Sequence, residues 1–160
     1  MIIREINATD HHLLEKFLYL AVHQHDPANP IPPSVVNIPE VRNYIANFGK
    51  QKHDYGLVAE KSGYVVGMAW ARVLSGKIKG YGYINNQTPE LAISVVEDQR
   101  GQGIGVALMS AIIELLRHNG YQQCSLSVEK TNRATNLYKR LGFSTVKETN
   151  HDYIMVKRFA

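Results

Sequence analysis

Apolar positions recur with two different periods along this chain, and the switches between them mark out its elements. Ile2 to Ile6 reads as a short first strand. Leu13, Leu14, Phe17, Leu18 and Ala21 then repeat at helical spacing, with Thr9 as the expected N-cap. Four of the six prolines fall within His25 to Pro33 and predict a stiff connector. Val41, Tyr44, Ile45 and Phe48 predict a second helix, stopped by Gly49.

The middle of the chain is β-rich. Tyr55 to Glu60 and Tyr64 to Leu74, separated by Lys61-Ser62-Gly63, predict a hairpin. A glycine-rich stretch covers Ser75 to Thr88, and a further strand runs from Glu90 to Val96. Leu91, Ile93 and Val95 alternate there; Val96 breaks the period, which predicts a β-bulge. After Gly105 the pattern is helical. Ile104, Leu108, Ala111, Ile112 and Leu115 line one face, and Asn119-Gly120 ends the helix. Cys124 to Val128 reads as a strand, Arg133 to Leu141 as a helix closed by Gly142, and Phe143–Lys147 with Tyr153–Phe159 as a last strand pair. The order is strand, two helices, three strands, helix, strand, helix, two strands. It predicts an α/β fold: a mixed sheet with helices on both faces, in one domain spanning 1–160.

Composition narrows the function. With 160 residues, 44% hydrophobic and 20% charged, the chain is long enough for a proper core and ordinary for a globular protein. The net charge of +4 is scattered, with no run of basic residues, so no nucleic-acid partner is expected. No stretch is apolar enough to span a membrane, and the start lacks a signal-peptide pattern. Cys124 is the one cysteine, so no intrachain disulfide forms. Together these predict a cytoplasmic enzyme or binding protein.

The most informative segment is Arg100-Gly101-Gln102-Gly103-Ile104-Gly105, between a strand and a helix. A helix N-terminus carries unpaired N–H groups and partial positive charge, and glycines let the backbone approach an anion closely. The junction therefore reads as a phosphate cradle, with Arg100 as a cation at its edge. A plain glycine-rich turn is the alternative. A Walker loop is excluded, because Gly-Lys-Ser/Thr is absent. In the dinucleotide fingerprint the third glycine would stand one residue beyond Gly105, although Glu129 lies where a ribose-binding acid would sit.

The same residues resemble the coenzyme-A motif of the GNAT superfamily of N-acetyltransferases, Gln/Arg-x-x-Gly-x-Gly/Ala, matched by Arg100, Gly103 and Gly105. Leu91 to Val96 is similar to the family's fourth strand. Asn132 to Tyr138, followed by Leu141-Gly142-Phe143, resembles its second motif. The family's usual asparagine falls at Thr131, with Asn132 one residue away; either residue is also a candidate cap for the next helix.

The resemblance implies a mostly antiparallel central sheet and acetyl-coenzyme A as co-substrate. It implies that the amides of Gly101, Gln102, Gly103, Ile104, Gly105 and Val106 hold the pyrophosphate, and that the exposed backbone of Val95 and Val96 holds the pantetheine arm, the bulge splaying this strand from the next. It implies a further coenzyme contact at Asn132, or at Thr131 beside it. The partner is an amine acceptor, attacked directly; a homodimer is a family expectation. A non-catalytic acetyl-coenzyme A sensor is the alternative function. Tyr138 becomes the candidate acid for the departing thiolate, against a purely structural reading on the face it shares with Ala134 and Leu141. Glu90, whose parity sets it opposite Leu91, Ile93 and Val95, is the candidate base, against an exposed strand-end glutamate. Glu97 is a rival base, but in the loop beside the phosphates a carboxylate would repel them.

The acceptor side is expected from the first 50 residues and the Ser75–Thr88 loop, whose glycines permit movement, with Tyr44 and Tyr83 as test positions. Trp70, Tyr64 and Tyr81 are either pocket walls or strand packing. His23-x-His25-Asp26 has ligand-like spacing but sits at a helix end beside prolines. It reads as a solvated turn, and no metal is expected. Cys124, between Gln123 and Ser125 on a strand, is expected to be buried and inert.

Overall fold

The computed structural model describes residues 1–160. All seven strands join one sheet in the order β1-β2-β3-β4-β5-β7-β6. They are β1 (Ile2–Glu5), β2 (Tyr55–Lys61), β3 (Tyr64–Arg72), β4 (Glu90–Val95), β5 (Gln123–Glu129), β6 (Ser144–Glu148) and β7 (Asp152–Arg158). Neighbours are antiparallel except β4 and β5, which are parallel. The expected mixed, mostly antiparallel sheet is therefore present.

Alternation along the strands feeds two cores. On one face, Ala69, Ala71, Leu91 and Leu126 pack with Leu108, Met109, Ile112 and Leu116 of α3 (Ile104–His118). Tyr138 of α4 (Ala134–Arg140) and Phe143 close the edge of this core. The other face carries Val58, Met68 and Trp70, covered by Leu14, Phe17 and Leu18 of α1 (Leu14–Ala21) and by Tyr44, Ile45 and Phe48. The α3 stripe is rotated from the expected one: Met109 and Leu116 are buried, while Ala111 and Leu115 are only partly so. No helix is long and apolar enough to cross a membrane.

Three expectations need correction. Asn7, not Thr9, caps the first helical segment. Its side chain accepts from the Thr9 amide, and Asp10 bonds back to the Asn7 amide in a capping box. A 3-10 turn from Ala8 to Leu13 precedes α1.

The second helix is shorter than its apolar spacing suggests. α2 covers only Pro39–Arg42, and turns follow it. There i→i−3 bonds dominate, such as Tyr44 N to Val41 O and Ile45 N to Arg42 O. The carbonyls of this segment accept from side chains of β3: Trp70 Nε1 bonds to Tyr44 O, and Arg72 to Asn43 O and Ala46 O. Arg72 is also paired with Asp54 at 3.0 Å, both side chains being almost fully buried. Tertiary partners thus replace a helical ladder.

The bulge expected at Val96 is absent. β4 pairs with β3 in unbroken register from Glu90 opposite Arg72 to Val95 opposite Gly67. Irregularities fall instead between Ala59 and Glu60 and between Thr145 and Lys147. β4 and β5 still separate, since their only bridge joins Glu90 and Ser125. The parallel strands part immediately beyond it and leave a cleft.

Candidate active site

The glycine loop sits where β4 hands over to α3. Gly101 and Gly103 have φ of +77° and +82°, a region other residues rarely adopt. A Cβ at either would meet nothing within 4 Å, so conformation rather than crowding demands glycine, and open space lies over the loop. Gly103 caps α3 without any side-chain bond. The first intrahelical bond of α3 runs from Ala107 N to Gly103 O, so the amides of Ile104, Gly105 and Val106 have no acceptor within the helix. Lys61 donates to the side chains of Gln99 and Gln102, at 3.1 and 2.9 Å, and ties the loop to the β2–β3 hairpin. Arg100 turns back, its Nε donating to Val95 O at 3.0 Å.

The two valines differ. Val96 N bonds to Val66 O of β3, and Val96 O accepts from Gln99 N. The main chain of Val96 is therefore spent, contrary to the expectation that it lies exposed. Alternation turns the main-chain groups of Val95 toward the gap. Its carbonyl takes Arg100, which leaves the Val95 N–H open.

A cavity of about 420 Å³ opens along this gap. Glu90 and Tyr138 both line it, and so do Tyr44, Tyr81 and Asn132. Glu90 is no exposed strand-end residue: it is 3% exposed. Its Oε2 accepts from the Tyr44 hydroxyl and, at 3.0 Å, from Gly82 N. Its Oε1 is buried without any partner. Burial raises this carboxyl to about 7, against the lowering effect of the two donors. A buried carboxylate with one orphaned oxygen, on a residue that lines a cavity, is rare and marks a candidate functional group.

The loop glycines serve close approach here. A Cβ on Gly80 would lie 2.0 Å from Glu90 Oε1, and one on Gly82 would strike the β5 backbone at 2.8 Å. Ser125 Oγ fastens the loop by donating to Gly82 O at 2.7 Å. Close approach requires glycine at 80 and 82, whereas Gly76 stands in open space.

Tyr44 was legible only as an acceptor-side aromatic. In the fold its hydroxyl donates to Glu90 and accepts from Tyr81 N at 2.9 Å, and its ring stacks on Tyr81. Tyr83 does not line the cavity; it bonds to Asn86. Trp70 is core and Tyr64 is exposed on the hairpin. Tyr138 packs edge-on against Phe143, and burial alone raises its phenol to about 12. Asn132 caps the turn into α4, its Oδ1 accepting from Ala134 N at 2.9 Å, which leaves its side-chain NH₂ for a ligand. Thr131 is exposed. Cys124 is fully buried, with its thiol pushed up to about 12, and has no nucleophilic character at neutral pH.

An anion cradle opening onto a splayed apolar cleft suits a substrate that is long, charged at one end and reactive at the other. Acyl-coenzyme A transferases are the class that handles such a substrate. The acetyltransferase (GNAT) family matches residues 13–143, and the chain belongs to that family. An N-alpha-acetyltransferase of Sulfurisphaera tokodaii is 35% identical over 100 residues, 60% of each chain. An uncharacterised N-acetyltransferase of Bacillus subtilis, YobR, is 36% identical over 77 residues, 48% of this chain and 28% of its own length. The matched stretch thus falls short of two thirds of either relative. In fold, the chain resembles the crystal structure of the PaiA N-acetyltransferase from Thermoplasma acidophilum in complex with coenzyme A. The TM-score is 0.68 at 15% identity, over 99% of this chain and 98% of that one.

Proposed function

We propose that residues 1–160 act as one N-acetyltransferase domain, moving the acetyl group of acetyl-coenzyme A to a primary amine by direct attack in a ternary complex. The open amides of the glycine loop would take the pyrophosphate, Val95 N–H the pantetheine arm, and Asn132 Nδ2 a further polar group of the coenzyme. The observation that carries the reading is Glu90, buried in the lining of the cavity with its Oε1 unpartnered.

The chemistry follows from that placement. An ammonium group cannot attack a thioester. Glu90, held near 7, takes its proton directly or through one water. Tyr44 and Gly82 fix the other carboxylate oxygen, so Oε1 is the free acceptor. The amine attacks the thioester carbonyl, the tetrahedral intermediate collapses, and the sulfur leaves as thiolate. Tyr138, protonated at every physiological pH, supplies the proton. The thiolate forms in the same cavity, where desolvation raises its basicity as well. A non-catalytic sensor would have no use for a base poised at neutrality.

The cavity also speaks to the acceptor. Leu18, Ala21, Val22, Ile31, Val35 and Val41 form its outer wall, and no lysine or arginine lines it. An acceptor with a carboxylate beside its amine would find no lysine or arginine to pair with there. The reading is therefore an amine attached to an apolar body, or a peptide α-amine. The buried lone thiol of Cys124 fits a cytoplasmic setting. Thiol release measured against a panel of amines tests this. Apolar amines and peptide α-amines should turn over well ahead of free amino acids, and Glu90→Gln should abolish most turnover near neutral pH. Fastest turnover of free amino acids would refute the acceptor class, and no thiol release with any amine would refute the activity.

A further inference from the structure

The mechanism leaves one cluster unused. His23 and His25 follow α1, and Glu129 ends β5, 104 residues beyond His25. The sequence spacing of His23-x-His25-Asp26 reads as a solvated turn, and Asp26 does cap one, its Oδ1 accepting from Ala28 N. The fold changes the picture by adding Glu129. One donor atom from each of His23, His25 and Glu129 lies within 4.8 Å of the others, and His25 Nε2 is 3.0 Å from Glu129 Oε1. The two imidazoles meet edge to face, their centroids 4.9 Å apart.

Two imidazole nitrogens and a carboxylate oxygen are a donor set for zinc and similar divalent ions. Ligand atoms around tetrahedral zinc stand roughly 3.4 Å apart, given bonds of about 2.05 Å. Closing the observed spacing to that value would take rotation of the side chains, of which His25 and Glu129 are partly exposed. The loop is held for the purpose. Gln24, between the histidines, does not join them; its Oε1 accepts from Ile31 N at 2.9 Å and its Nε2 donates to the Tyr19 hydroxyl. Charge points the same way. Asp152 stands directly across from Glu129 in the β5–β7 register, which sets two carboxylates side by side. Lys130 Nζ is 3.0 Å from Glu148, and Lys130 and His151 offset part of this negative charge at Asp152. His23 and Glu129 both line the cavity, so the cluster borders it.

We propose that His23, His25 and Glu129 form a three-ligand site for a zinc-class divalent cation at the mouth of the cleft. The ion ties the connector after α1 to the end of β5 and keeps one coordination position open to the cavity. This inference does not rest on the acetyl-transfer reading, although a bound ion would give the cavity a cation that its side chains do not supply.

The test uses the full chain without an affinity tag, stripped of metal by chelator and titrated with zinc chloride in a calorimeter. Cobalt(II) substitution followed by visible absorption reports the geometry. The expected result is one zinc per chain, a strong visible band of four-coordinate cobalt, and a zinc-dependent rise in Tm. His25→Ala and Glu129→Gln should each weaken zinc binding at least about ten-fold, as loss of a ligand outweighs loss of an outer partner. Both side chains are partly exposed, so the metal-free variants should melt like the parent. Absence of saturable zinc binding would overturn the proposal. So would parental zinc affinity, or a parental zinc-dependent Tm rise, in both variants.

Discussion

Replacing Tyr44 by phenylalanine removes a single oxygen and keeps the ring stacked on Tyr81. That oxygen donates to Glu90 Oε2, leaving only Gly82 N as a donor to the carboxylate. A hydrogen bond to a charged group is worth about 1.5–3 kcal/mol, and about 1.4 kcal/mol corresponds to one pKa unit. Losing a donor disfavours the ionised form, so the Glu90 carboxyl should climb by roughly one to two units above about 7. Near pH 7 the ionised fraction would then drop from about half to about a tenth or less, and kcat/KM by roughly five-fold or more. The assay is thiol release from acetyl-coenzyme A over a pH series. The acceptor amine's own titration is common to both proteins, so the ratio of variant to parent isolates Glu90. That ratio should be lowest in the acid and neutral range and return toward unity above about pH 9. A ratio that stays flat with pH would refute the argument, since it would mean that Tyr44 shapes the pocket without tuning the base.

Tyr138→Phe should lower the single-turnover rate by roughly 10²–10⁴-fold while acetyl-coenzyme A affinity changes little; a near-parental rate in the folded variant removes the phenol from the mechanism. Gly103→Glu places a negative side chain at a φ of +82° beside the open amides, so calorimetry should detect no coenzyme binding, and unchanged affinity would move the phosphate site elsewhere. Glu90→Gln should flatten the pH dependence of stability. The folded carboxyl sits at about 7, above its ordinary 4.5, so its contribution is fully present below about pH 4.5 and is lost as pH rises through 7, by about 3 kcal/mol. The parent Tm should fall over that window and the variant Tm should not; parallel curves would contradict the burial argument.

The glycine loop, the strand before it and the helix after it were readable from the sequence because each rests on local rules. Positive φ at Gly101 and Gly103 and an uncapped helix start involve only neighbouring residues. The alternation that sets Glu90 opposite Leu91 is equally local. Local rules erred where tertiary partners took over. Val41 to Phe48 has helical spacing, but Trp70 and Arg72 bind its carbonyls and the helix ends at Arg42. The cleft arises from a single bridge between parallel strands, not from the bulge that Val96 suggested.

The sequence offered Glu90 as a candidate base, but the environment that suits it to that proposed role lay beyond the sequence. Its buried state, its bond to Tyr44 46 residues earlier and its orphaned Oε1 depend on how a turn, a glycine loop and β5 close around one carboxylate. The same holds for Glu129, which reaches His25 only because the connector after the first helix meets the end of the fifth strand. Periodicity fixes which face a residue takes, since each face repeats within a few positions. Which distant side chain fills the space opposite is set by packing and by where buried polar groups find partners, and that belongs to the folded chain alone.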